Sequence, residues 1–301
     1  MQIPNWCKTI ALVLCVAILL LFPNCCILGA QNGLLLWYTK VLPVLLPFFI
    51  VSSLISTYIT FSPILTTLLL GVLCGYPMGA KNIKDYYVQG YFSKDTAQRL
   101  LTICNHASPM FLIGYVCTMQ LKNTVPLPLF LFSIYWPPAL LGIYYALRYK
   151  KKTATASSAS MVYPKQQSRT VTLDESIEHS LLLICKIGCY IMLYSILCNI
   201  LMEVGSSLEN SVFSGWSNLF IPFLTGILEM TTGIASIAQT QAPSIIKIAL
   251  ITAIASFGGC SSISQTQSAI KGTTLSMVPY VISKLICGLL SGLTILILVQ
   301  I

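Results

Sequence analysis

Charge is what this sequence has least of. Only 8% of its 301 residues are charged, against roughly 25% in an ordinary soluble domain, so water cannot be the main solvent of its surface. It holds no nucleophile elbow, no Walker-type phosphate loop, no HExxH motif and no paired intramembrane aspartates, so neither an ATP-driven pump nor an intramembrane protease is supported. Catalytic residues and cofactors are therefore not expected. A basic stripe interleaved with aromatics is also missing, which removes nucleic acid as a partner despite the formal charge of +9. Cys25-Cys26 has no second CxxC or His at ligand spacing, so no metal site is expected. Among the 12 cysteines, Cys15, Cys74, Cys117, Cys185, Cys189, Cys198 and Cys287 lie in apolar segments, where a thiol packs as a small hydrophobe rather than joining a disulfide framework.

Apolar sequence is present in abundance, at 56% of the chain. Ile10–Leu28, Pro126–Leu147, Leu181–Met202 and Val278–Leu298 each run for about 20 residues, enough to cross a hydrocarbon core of about 30 Å. The bilayer is the solvent these segments are made for. Lys8, an apolar run and Leu28-Gly29-Ala30 imitate a cleavable signal peptide, but the run is long for one, and a retained first helix is expected. The expected fold class is an all-α polytopic membrane protein of about seven to eight transmembrane helices.

Arg148–His179 is the one long polar stretch, with Arg148, Lys150, Lys151, Lys152, Lys165 and Arg169 among Ser, Thr and Ala. It reads as a flexible loop, cytoplasmic by the positive-inside rule. It divides the chain into a first hydrophobic half (1–147), a basic linker (148–180) and a second half (181–301). Met202–Asn218 carries Glu203 and Glu209 and no Lys or Arg, as a loop on the opposite face should.

The halves repeat one order of features. Pro47-Phe48-Phe49 precedes Leu68–Gly75 and Tyr76-Pro77-Met78-Gly79-Ala80-Lys81; Pro222-Phe223-Leu224 precedes Ile248–Ser256 and Phe257-Gly258-Gly259-Cys260-Ser261-Ser262. Each apolar arm is too short to span and ends in Gly or Gly/Pro followed by polar residues, the pattern of a re-entrant hairpin meeting its counterpart near the membrane middle. A proline kink or a glycine packing contact gives the same local pattern. At hairpin tips, free N–H groups of a helix start can hold an anion or polar ligand.

Candidate binding residues follow from the breaks. In the first half they are Gly75, Tyr76, Pro77, Gly79 and Lys81, then Asn105 and Ser108, where Pro109 leaves a carbonyl one turn earlier without its donor. His106 reads as a core or interfacial histidine before it reads as a proton carrier. In the second half, Glu229 and Thr232 lie inside Leu219–Ala238, where an acidic residue is costly enough to suggest function, with a cation, a proton or Lys247 as partner. A carboxylate facing headgroups is the alternative. Gly258, Gly259, Ser261, Ser262, Gln265 and Gln267 form the second tip, whose alternative is a solvent-exposed turn. Lys186 within Leu181–Met202 is explained by snorkelling or an ion pair as readily as by a ligand.

Leu45-Leu46-Pro47-Phe48-Phe49-Ile50-Val51, Gly75–Lys81, Leu100–Asn105 with Ala107-Ser108-Pro109, Glu229…Gly233 and Phe257-Gly258-Gly259 through Gln267 together resemble the YlbJ-type sporulation integral membrane proteins. The likeness covers most of Val41–Leu290. It implies a nucleoside-recognition gate repeat, similar to the concentrative nucleoside transporters, and passage of dipicolinic acid across the outer forespore membrane of the mother cell. This chain departs from the family in being short between Ile59 and Leu68 and in carrying His106. A plain count of spans makes the repeats parallel, whereas the fold implied by the resemblance makes them inverted, with an interfacial helix in Leu201–Phe220 as one way out. The expected partners are a small anionic substrate, membrane lipid and a further copy of the chain. An ion-coupled permease for a nucleoside or other metabolite, and a non-transporting scaffold, are the competing functions.

Overall fold

The computed structural model describes residues 5–58, 62–153, 172–209 and 217–300, and these residues are helical almost throughout. The first half runs α1 (Asn5–Leu21), α2 (Pro23–Leu36), a π-helical turn Trp37–Val41 and α3 (Leu42–Tyr58). Then come α4 (Pro63–Cys74), α5 (Met78–Val88), α6 (Lys94–Cys104), α7 (Pro109–Phe111) continuing as a π-helical run Leu112–Gln120, and α8 (Leu127–Thr153). The second half runs α9 (Leu173–Glu209), α10 (Ser217–Leu228), α11 (Met230–Gln239), α12 (Ser244–Phe257), α13 (Gly259–Ala269) and α14 (Met277–Gln300).

Six helical stretches among the described residues are long and apolar enough to cross a membrane: Pro23–Leu54, Lys94–Gln120, Leu127–Arg148, Leu173–Gly205, Ser244–Ala269 and Met277–Val299. That is fewer than the seven to eight expected, because Pro63–Cys74 and Asn218–Leu228 are short apolar helices. Leu182, Leu193, Leu289, Leu293 and Ile297 point outward from the long helices, a surface suited to hydrocarbon. The protein is thus an all-helical polytopic membrane protein.

Several expected boundaries move. Ile10–Leu28 is interrupted at Phe22, because Pro23 has no N–H to continue α1 and instead starts α2. The polar linker is shorter than Arg148–His179, since α8 continues to Thr153 and α9 begins at Leu173. A capping box explains that start: Glu175 N donates to Thr172 Oγ1 and Thr172 N to Glu175 Oε2, each at 3.2 Å. The centre of the linker, 154–171, lies outside the described residues. Met202–Glu209 is not loop but the end of α9, and 210–216 lie outside the described residues.

Close helix contacts use small residues, as lipid-embedded packing requires. On α2, a Cβ added at Gly29 would sit 2.7 Å from Ile196 Cα of α9; on α14, one at Gly288 would sit 3.1 Å from Ala253 O of α12. The turn joining α13 to α14 packs on α5 and α6: Lys84 Nζ donates to Lys271 O (2.7 Å), Gln98 Nε2 to Ser276 O (2.8 Å), and Tyr87 pairs with Thr274 (2.8 Å). These bonds put the ends of α5, α13 and the start of α6 at one end of the molecule.

From α4 to α8 and again from α10 to α14 the elements have one order: two short helices about a break, two more about a second break, then one long helix. This order matches the 75–77 break with Glu229 and the 105–108 break with Gly258, a different pairing from the one the sequence motifs suggest.

Candidate functional site

The four breaks converge. Tyr76 from the α4–α5 break, Ala107 and Ser108 from the α6–α7 break, Glu229 and Met230 from the α10–α11 break, and Gly258 from the α12–α13 break all line one cavity, closed by Val41, Leu45, Ile187 and Ile191. Irregular backbone in a membrane protein survives where protein surrounds it or where it lines a cavity, and here the breaks are packed in protein around a cavity. The cavity measures about 40 Å³, room for a few waters at roughly 10–15 Å³ each.

Gly75 and Gly258 make the turns possible, with φ of +69° and +90°. At Gly258 a Cβ would meet Ser262 Oγ at 2.6 Å and Tyr76 Cε1 at 3.3 Å, so the glycine also lets the first tip approach the fourth break. Gly79 packs against Gly71 and Asn105 rather than facing the cavity, and Gly259 lies 3.1 Å (from its would-be Cβ) from Met230 N. Gly226 and Gly233 touch across the α10–α11 turn.

Helix starts at the breaks are largely occupied by the protein itself. Asn105 Oδ1 accepts from Ala80 N (3.2 Å) at the start of α5, Ser108 Oγ from Phe111 N (3.2 Å) at α7, and Glu229 Oε2 from Thr232 N (2.6 Å) at α11. Only α13, which begins at Gly258 without a side-chain cap, leaves its start uncapped among these. Ser261 and Ser262 stand in its first turn and Gln265 in its second, all three buried and all lining the cavity. Gln265 Nε2 donates to Ser261 Oγ (3.2 Å), while its Oε1 is buried without a partner.

Glu229 is 3% exposed, which removes the headgroup-facing alternative. Its other oxygen accepts from Thr231 Oγ1 at 2.9 Å, and the amides and dipole of α11 give the carboxylate local support. Lys247 is not its partner, because Nζ donates to Thr240 O (3.1 Å) at the far end of α11. Thr232 supports the carboxylate with its amide and its hydroxyl but does not line the cavity, whose wall takes Thr231 instead.

Other expected ligands are placed elsewhere. Asn105 is fully buried and spent on structure: besides capping α5, its Nδ2 donates to Thr266 Oγ1 (2.8 Å) and Tyr280 OH (2.9 Å). The Asn105 carbonyl freed by Pro109 and the two carbonyls after it are not open acceptors either. Tyr280 OH donates to Asn105 O (3.3 Å), Tyr76 N to His106 O (2.9 Å) and Tyr135 OH to Ala107 O (2.8 Å). Ser261–Ser268 is helix rather than an exposed tip, and Gln267 faces outward from it. Pro77, Lys81 and Lys186 line a neighbouring cavity.

Lys284 lies inside Val278–Leu298, a segment whose apolar run alone reads as a plain span. It is fully buried, with Nζ 3.0 Å from His106 Nδ1, 2.9 Å from Ser256 O and 5.7 Å from the centre of the Tyr76 ring. An ionisable residue inside an apolar run was the available signal. Tyr280, one turn before it, and Thr266 belong to the same polar layer behind the cavity.

Chemically, the cavity offers hydroxyls, one uncapped helix start, an unpartnered amide oxygen and one carboxylate. That is a set for binding a polar solute. No family profile and no solved structure matches this chain. It is 24% identical over 312 aligned positions to the sporulation integral membrane protein YlbJ of Bacillus subtilis, covering 90% of this chain and 76% of that protein. Similarity along nine tenths of the chain, joined to the all-helical fold with six membrane-length apolar helices, supports a YlbJ-type assignment.

Proposed function

We propose that this protein is a transporter of sporulating cells that moves dipicolinic acid, a small aromatic dicarboxylate, across the outer forespore membrane. The observation that carries the reading is the meeting of four chain breaks at one buried cavity between membrane-length helices. Broken helices around a midplane site are how repeat-built transporters expose backbone and polar groups to a solute. The similar protein's place in sporulation supports the cellular setting.

The shared element order supports two repeats, each a re-entrant hairpin (α4–α5, α10–α11), a broken span (α6–α7, α12–α13) and a long helix (α8, α14). In that reading α6–α7, α8 and α9 separate the hairpins. Three crossings between them turn the second repeat upside down in this reading, the arrangement of the nucleoside-recognition gate fold, and favour inverted over parallel repeats. With 154–171 on the cytoplasmic face, the α13–α14 turn and the α5–α6 turn fall on that face too.

For an anion, the supporting groups are the uncapped start of α13, the Ser261 and Ser262 hydroxyls, and Lys284 behind the Tyr76 ring. At about 40 Å³ the cavity is smaller than a pyridine dicarboxylate, so cargo binding requires a hairpin to move. Glu229 favours a second reading. A carboxylate in the wall suits a neutral, donor-rich solute such as a nucleoside, or a coupling cation. The deciding experiment is dipicolinate content of sporulating cells lacking the protein, measured separately in mother cell and spore. Accumulation in the mother cell is the expected result; normal spore content rejects the reading.

A further inference from the structure

We infer that a second cavity, at the end of the molecule where α5 and α13 finish, is a vestibule that gathers small organic anions ahead of the central cavity. It measures about 230 Å³ and is lined by Lys81, Lys84 and Asp85 of α5, Lys186 and Tyr190 of α9, and Gln265 of α13. Three lysines face one aspartate. Lys81 and Lys186 come from different helices, so their shared orientation is not a sequence accident of one amphipathic face. Lys84 is fixed by its 2.7 Å bond to Lys271 O, which holds a positive charge at the rim.

The lysines outnumber Asp85, and excess cations this near apolar helix surfaces are costly unless water or an anion reaches them. A concave wall of net positive charge focuses the field and raises the local concentration of oppositely charged solutes. The vestibule and the central cavity have Ile187 and Gln265 in common, so one layer of side chains separates them. Gln265 Oε1 is buried and unpartnered within that layer, a group able to rotate its amide toward either side. Ammonium groups recognise charge without fixed geometry, so the vestibule selects anions as a class, carboxylates and phosphates alike, and leaves discrimination to the inner cavity. The inference deepens the transport reading and rests on it only for the direction of travel.

The test places a cysteine at Tyr190 in a cysteine-free background and compares its modification by an anionic sulfonatoethyl thiosulfonate and a cationic trimethylammonium one. The anionic reagent is expected to react faster by about tenfold, relative to the two reagents' rates on a free thiol. The advantage should vanish in the Lys81→Gln/Lys186→Gln pair and return with arginine at both positions. A ratio near one, or one indifferent to those substitutions, overturns the vestibule and leaves snorkelling lysines. A second measurement uses the protein with its own cysteines: vesicle uptake of dipicolinate should show a raised KM, an unchanged maximal rate and a flatter salt dependence in the double variant, and an unaltered KM rejects the inference. Absence of dipicolinate uptake by the wild type would sink the transport reading alone, since the labelling ratio still decides the vestibule.

Discussion

Lys284 and His106 are bonded nitrogen to nitrogen, Nζ to Nδ1 at 3.0 Å, and both side chains are buried. His106 Nε2 lies 3.3 Å from Thr102 O. A carbonyl only accepts, so the ring proton sits on Nε2 and Nδ1 is left to accept from the lysine. With its second bond to Ser256 O, Lys284 ties α14 to the end of α12 and to the break after α6. Two of the four breaks are thereby held in register by one side chain.

Lys284→Met should therefore destabilise the protein, because it keeps the chain length and orphans two buried acceptors at about 1–3 kcal/mol each. Thermal unfolding in detergent, followed by size-exclusion chromatography, measures it. Lys186→Met, on an exposed face, should leave the midpoint near the wild type. Equal midpoints for the two variants would show that Lys284 is not a brace.

Asn105 is predicted to be a structural pin and not a ligand. Asn105→Ala removes one cap and two donated bonds, and should couple to Tyr280→Phe by about 0.5–3 kcal/mol in a double-mutant cycle of stability. Additive effects would break the proposed network. Asn105→Asp keeps the acceptor for Ala80 N and should fall between the wild type and Asn105→Ala.

Gly258→Ala should abolish uptake at matched protein levels, since its Cβ would enter the space between Ser262 and Tyr76. Gly272→Ala is the control. Its φ of +86° imposes a similar backbone strain, yet nothing lies within 4 Å of the added carbon. If both variants lose uptake equally, strain and not cavity closure is responsible.

Glu229→Gln separates an anionic cargo from a neutral one. The amide can still accept from Thr232 N and donate to Thr231 Oγ1, so the α11 cap should survive with a loss of about 1 kcal/mol or less. Deleting the negative charge should lower KM for dipicolinate, whose carboxylates it repels. A raised KM would favour the neutral or cation-coupled reading.

Composition and apolar run length were enough to determine the solvent of this protein and its helical class. With 8% charge, segments such as Pro126–Leu147 and Val278–Leu298 have no stable place but a bilayer, and helix is the way to satisfy their backbone there. Gly75, Pro77, Pro109 and Gly258 also marked three of the four breaks locally, because those residue types end or bend helices wherever they stand. The fourth, at Glu229, has neither glycine nor proline at the break itself, and Pro222 inside α10 does not interrupt it. What the polar residues do at the breaks was decided in three dimensions. Asn105 looks like a ligand in one dimension and is a cap in three, since a cap's partner can come from a segment 25 residues away, whereas Ser108 caps α7 locally and also lines the cavity. Lys81 and Lys186 are 105 positions apart and share a cavity, and Lys284 finds His106 across 178. Those pairings depend on how helices pack side by side, and no local spacing encodes which faces will meet.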